Sequence, residues 1–181
     1  PLGGPEGKPQ QGIDRARQGA FKARGRAFRG HAGMVHVDLR LPGRRIFQTM
    51  CSIVLVDDHA IVREGFKRLI EQEADFVVVA ECRCAEEAVE AIGQHRPDLV
   101  ALDLSLPDGS GLPLLEHLRS VAPATRIVVL SMHDSEPYVT EALRRGASGY
   151  VTKGTAPEEL IAGLRAVMDG TCFLSSDLRQ R

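Results

Sequence analysis

The 181-residue chain has no apolar run near the roughly 18 residues a membrane-spanning helix needs. Its first 50 residues also lack the apolar core of a secretory signal. Cysteine is sparse: Cys51, Cys82, Cys84 and Cys172 do not form a disulfide framework in a chain this long, so a reducing, cytoplasmic setting is expected. Cys82 and Cys84 lack the histidine–cysteine partners of a tetrahedral zinc site, and alternate strand residues point to opposite faces. Aromatic residues make up only 4% of the chain. These absences exclude a membrane protein, a secreted mini-protein and a collagen-like chain. What is present, 43% hydrophobic and 26% charged residues, is the composition of a globular domain with a real core.

Net charge is small and uneven in place. The net of -1 hides a basic segment and an acidic one. Residues 1–49 carry ten Lys/Arg against three Asp/Glu, a net of +7, which leaves -8 for residues 50–181. The same first segment holds nine glycines and four prolines and no sustained apolar period. Such a stretch buries too little to offset its ordering entropy, and we expect a mostly disordered, basic extension over 1–49. Its start at Pro1 leaves open that part of it is appended or upstream-translated sequence. One weak alternation, Met34 to Leu39, has the pattern of a strand. A basic tail can bind nucleic acid non-specifically, but Phe21, Phe28 and Phe47 form no stacking pattern with the arginines.

Beyond Met50 the pattern becomes a strict alternation. Ser52–Val56, Phe76–Glu81, Leu99–Asp103, Arg126–Leu130 and Ser148–Val151 are short apolar runs, several of them continuous Val/Ile/Leu. That is the pattern of parallel strands covered on both faces. Between them, apolar residues recur at helical spacing, as at Val62, Phe66, Leu69 and Ile70. Asp134-Ser135 and Thr155-Ala156-Pro157-Glu158 read as helix starts, and Gly146 as a stop. Five βα units predict an α/β fold: a doubly wound, five-stranded parallel sheet in the flavodoxin-like order 2-1-3-4-5, with helices on both faces.

In such a sheet, chemistry gathers at the carboxyl ends of the strands, where strand order reverses. Asp57 and Asp58 follow strand 1, Asp103 ends strand 3, Ser131 follows strand 4, and Lys153 lies just past strand 5. Two carboxylates about 4 Å apart repel by about 4 kcal/mol at an effective dielectric near 20. A cluster of them stays ionised only with compensation. Mg²⁺ suits it, because this cation takes carboxylates, keeps waters and accepts phosphate oxygen. Lys153 supplies a second positive charge.

The runs Val54-Leu55-Val56-Asp57-Asp58-His59, Leu102-Asp103-Leu104-Ser105-Leu106-Pro107-Asp108-Gly109, Leu130-Ser131 and Gly149-Tyr150-Val151-Thr152-Lys153 resemble the receiver domain of two-component response regulators. Asp-Asp-His after strand 1 and Lys153-Gly154 after strand 5 resemble the NarL/LuxR-type branch, and Leu130 to Ser135 is similar to the regulator of hexose-phosphate uptake. The resemblance implies a phosphorylation-activated receiver rather than an enzyme. Asp103 would be the phosphoacceptor for a sensor histidine kinase. Asp57, Asp58, Asp103 and the backbone carbonyl of Ser105 would hold Mg²⁺. Lys153 and Ser131 would bind the phosphoryl oxygens, Ser131 and Tyr150 would form the switch, and Ser105 and His133 would tune phosphoryl lifetime. It further implies a homodimer on phosphorylation and DNA binding only through a C-terminal helix-turn-helix domain. Residues 50–170 would be the receiver and 171–181 the start of the linker to that missing domain. Gly154 stands where the family commonly has proline, which leaves a cis peptide there open.

Two other classes meet missing features. A haloacid-dehalogenase-type aspartyl-phosphate phosphatase wants a second aspartate two residues after its nucleophile, and Ser105 stands there. A nucleotide- or flavin-binding module wants a glycine-rich loop after strand 1, and Asp57-Asp58-His59-Ala60 places anions there instead. A stand-alone receiver is the remaining alternative to a truncated transcription regulator.

Overall fold

A computed structural model describes residues 27–29, 35–41, 44–107, 109, 111–155 and 157–180. In chain order the elements are β1 (Ala27–Arg29), β2 (Val35–Leu41), β3 (Arg44–Val56), α1 (Ala60–Glu71), β4 (Phe76–Cys82), α2 (Ala85–His95) and β5 (Leu99–Asp103). They continue with α3 (Gly111–Val121), β6 (Arg126–Ser131), α4 (Glu136–Arg144), β7 (Gly149–Thr152), α5 (Pro157–Met168), β8 (Phe173–Leu174) and α6 (Ser176–Arg179). The parallel part of the sheet runs β4-β3-β5-β6-β7-β8.

The strict alternation of side chains along each strand divides the apolar residues between two faces. Ile53, Leu55, Leu99, Ala101, Val128 and Leu130 pack with Ile70 of α1 and Leu160, Leu164 and Val167 of α5. Val54, Val56, Val100, Leu102, Ile127 and Val129 pack with Ala88 and Ile92 of α2, Leu114, Leu115 and Leu118 of α3 and Ala142 of α4. Strand runs apolar at every position are therefore sandwiched between two helical layers.

The structure departs from the five-strand expectation in two places. First, β8 adds a sixth parallel strand, Phe173 beside Gly149 and Leu174 beside Tyr150. A two-residue run carries no readable period, but the open edge of β7 needs backbone partners. The Ser175 N–H donates to the Tyr150 carbonyl, and the Thr152 N–H donates to the Ser175 hydroxyl at 3.3 Å. The Thr152 hydroxyl then donates to Asp177 at 2.7 Å, so residues 173–177 are fastened to β7 rather than leaving it as a linker would.

Second, the boundary we set at residue 50 falls inside β3. The amino-terminal half of β3 pairs antiparallel with β2, from Leu41 opposite Arg44 to Val35 opposite Met50, and β1 pairs with β2. Parallel pairing with β4 begins at Cys51. β2 covers residues 35–39 of the weak alternation, Met34 lying outside the described residues, and the β-branched residues Val35, Val37 and Ile46 favour an extended backbone. The rest of residues 1–49 lies outside the described residues.

Helix ends show how local signals fared. Ser135 is the N-cap of α4, but its side chain makes no capping bond; its carbonyl accepts from the Tyr138 and Val139 N–H groups. Gly146 follows α4 with φ 104°, a left-handed conformation that glycine adopts without steric cost. The described peptide bonds include no cis bond, so Lys153–Gly154 is trans.

Gly111 opens α3 directly against the chain that follows Asp103. A Cβ built there would sit 2.5 Å from Leu104 Cα and collide with the Leu104 carbonyl. Both partners are backbone, so the contact cannot be relieved by a rotamer change. Gly111→Ala is expected to destabilise the fold by about 1–3 kcal/mol, the usual range for overpacking, read as a lowered urea midpoint with an unchanged slope. An unchanged midpoint would refute the tight approach of α3 to residue 104.

Candidate functional site

The carboxyl ends of β3, β5, β6 and β7 deliver Asp57, Asp103, Ser131 and Lys153 to one rim, as strand order reverses between β3 and β5. Asp57, Asp103 and Ser131 are fully buried, and the Lys153 side chain is 7% exposed. Lys153 Nζ donates to Asp57 Oδ2 at 2.7 Å and to Asp103 Oδ2 at 2.6 Å. One ammonium thus bridges two buried carboxylates from strands on either side of the reversal.

The same local device orients three of these side chains. Asp57 Oδ1 accepts the His59 N–H at 2.8 Å, Asp103 Oδ1 accepts the Ser105 N–H at 2.9 Å, and Ser131 Oγ accepts the His133 N–H at 3.1 Å. Each is a side chain bonded to the backbone two residues on, the turn that short polar side chains favour. Each buried aspartate therefore has one oxygen held by its own loop and the other by Lys153. Ser131 is tied to the same rim through its backbone, whose carbonyl accepts the Lys153 N–H at 2.8 Å.

Asp58 and His59 form the outer wall. Their side chains are 24% and 64% exposed, and His59 Nδ1 lies 2.8 Å from Asp58 Oδ1. The alignment does not make a hydrogen bond, so Asp58 Oδ1 is a buried carboxylate oxygen without a hydrogen-bond partner. Asp57, Asp58, His59 and Asp103 each offer a ligand atom, all within 4.8 Å of one another. An orphaned oxygen among convergent carboxylates fits a small hard cation.

Tyr150 is fully buried on β7, with β6 between it and Asp103, and its hydroxyl donates to the His133 carbonyl at 2.7 Å. Burial pushes its phenol above the ordinary value. The His133 ring is exposed and stacks on Tyr138, centroids 4.5 Å apart and planes at 8°. Tyr150 therefore occupies the inward position, against the loop that follows Ser131.

Sequence reasoning missed Arg63. It lies in the first turn of α1, its backbone N–H donates to the His59 carbonyl, and its Nη1 donates to the Asp57 carbonyl at 2.5 Å. Its position six residues after Asp57 and four after His59 is the only signal for it in the sequence, and that spacing by itself is also that of an ordinary helix-surface charge. A cavity of about 690 Å³ between α2 and α3 is lined by Ile92, Pro97, Val121 and Thr125, at the opposite end of the sheet from the carboxylates.

Residues 53–165 match the family model described as the response regulator receiver domain, and the chain belongs to that family. Its relatives place it among regulators of the LuxR/NarL type. It is 35% identical over 130 residues to the transcriptional regulatory protein DegU of Brevibacillus brevis, covering 72% of this chain and 55% of that protein. A LuxR-family two-component response regulator from Aurantimonas sp. SI85-9A1 aligns at a TM-score of 0.70 and 41% identity, covering 72% of this chain and 94% of that one. The isolated receiver domain of RcsB from Salmonella enterica serovar Typhimurium, solved with the phosphomimetic BeF₃⁻, aligns at 0.68 and 25% identity, covering 72% and 97%. The chain spans 55–61% of the length of these curated relatives.

Proposed function

We propose that Asp103 accepts a phosphoryl group from a sensor histidine kinase and that this modification controls a transcription output. The observation that supports it best is the fully buried Asp103 carboxylate held by Lys153 within an acidic, ligand-bearing cluster. The step is an in-line displacement. An Asp103 oxygen forms the new P–O bond, the P–N bond to the donor imidazole breaks, and its electron pair leaves with the nitrogen, which is protonated from water.

Asp57, Asp58, Asp103 and the Ser105 carbonyl would hold Mg²⁺, which when bound supplies charge neutralisation for the transferring phosphoryl group. Lys153 takes over a phosphoryl oxygen, and the Ser131 hydroxyl donates to another. The added charge of about -1.5 to -2 draws Ser131 inward, and Tyr150 responds to the shift of the loop at residues 132–134. Ser105 and His133, two residues beyond Asp103 and Ser131, flank the approach of water and tune the lifetime of the modification. We place the protein in the cytoplasm, where the kinase's catalytic domain would meet it.

The output is a homodimer, with DNA bound through a domain beyond residue 181. The name of the DegU relative supports the transcriptional role, and the RcsB receiver's complex with BeF₃⁻ supports the phosphoryl site. The test is intact mass after incubation with acetyl phosphate, followed by sedimentation with beryllofluoride. A Mg²⁺-dependent phosphoryl gain and a doubling of mass in solution are expected. A gain without metal would overturn the site assignment, and an unchanged mass with the site demonstrably occupied would overturn the dimer.

A further inference from the structure

We propose that Arg63 is a positioning residue for the cation site, clamping the loop that carries Asp57, Asp58 and His59. This rests on the reading of that cluster as a Mg²⁺ site. Arg63 holds the start of the loop through its side chain, with Nη1 donating to the Asp57 carbonyl at 2.5 Å, while its backbone N–H makes the ordinary first helical bond to the His59 carbonyl. The loop that starts at that carbonyl carries three of the four residues that offer ligand atoms.

The guanidinium is placed there at a cost. Its side chain is 13% exposed, and Nε is buried without a hydrogen-bond partner, 3.5 Å from Glu81 Oε2. Glu81 is engaged elsewhere, its other oxygen accepting from Lys67 at 2.5 Å. A buried donor left unsatisfied is unfavourable, so electrostatic pairing with Glu81 does not by itself account for the arrangement. The directional bond to Asp57 does. Outer-shell partners of this kind fix the orientation of metal ligands.

Charge and positioning act in opposite directions here, which makes the sign of the effect decisive. A cation beside a cation site repels the incoming ion, so if Arg63 acted only as a charge, its removal would tighten Mg²⁺ binding. If it positions the loop, its removal weakens binding.

The chain has no tryptophan, so Mg²⁺ binding is measured by titration calorimetry rather than by intrinsic tryptophan fluorescence. Arg63→Met, which keeps the apolar stem, is expected to weaken Mg²⁺ about tenfold, the low end for outer-shell substitutions. Arg63→Lys keeps the charge and a donor but not the fork, and is expected to recover part of that loss, to about two- to fivefold weaker than wild type. Should Arg63→Met not melt cooperatively, the lysine variant decides by itself. Binding unchanged or tighter in the variant that decides overturns the proposal. A wild-type protein that takes up no Mg²⁺ instead overturns the reading of the site, and the role of Arg63 with it.

Discussion

Asp103→Asn is expected to yield a folded protein that gains no phosphoryl group from acetyl phosphate and Mg²⁺ under conditions that load the wild type. The expected loss is complete, because a carboxamide oxygen is not a nucleophile of comparable strength and no second carboxylate takes its place. Asp57 is tied to the His59 N–H and to Lys153, and Asp58 faces the outer wall. The substitution should spare the fold. Asparagine keeps an oxygen for the Ser105 N–H, and removing one of the clustered negative charges relieves repulsion with Asp57 and Asp58. Intact mass and a urea melt on the same sample separate the two effects. A phosphoryl gain that survives in the variant would move the acceptor to another residue.

The second large effect is expected at Lys153. Its ammonium is the cation shared by two fully buried carboxylates, at 2.7 and 2.6 Å. Lys153→Met leaves both without it. Breaking a buried ion pair by removing one partner typically costs about 3–5 kcal/mol, because the remaining charges stay desolvated. In chelator, the urea midpoint of Lys153→Met should fall by a corresponding amount relative to wild type. Added Mg²⁺ should restore a larger share of stability in the variant than it adds to the wild type, since the ion then supplies the missing compensation. A variant as stable as wild type in chelator would show that the carboxylates do not depend on Lys153.

The two substitutions are expected to differ in cost: Asp103→Asn removes one of several negative charges and leaves Lys153 paired with Asp57, whereas Lys153→Met removes the cation both buried carboxylates share. A site built chiefly for stability would not gather three aspartates, only two of them bonded to Lys153, with an Asp58 oxygen left without a hydrogen bond. The excess of negative charge is what the proposed cation, and the phosphoryl group it would help bind, would answer.

Much of this was legible in the chain alone. Continuous Val/Ile/Leu runs such as Leu99–Asp103 can be buried on both faces only in a sheet covered by helices, so the doubly wound layers followed from composition and period. The rim residues Asp57, Asp103, Ser131 and Lys153 were legible for the same reason, since a polar residue ending an apolar strand in this fold must emerge at one edge. What the tertiary structure decided was everything that depends on an available partner rather than on a period. β8 exists because the edge of β7 offers unpaired backbone groups to a segment too short to show alternation. The length of β3 depends on β2 lying beside it. The inward Tyr150, and Arg63 turned onto the Asp57 carbonyl, are choices of side-chain direction made by hydrogen bonds to backbone groups. Hydropathy and spacing record which residues avoid water, whereas direction is set by what each polar atom finds within reach once the chain has closed around it.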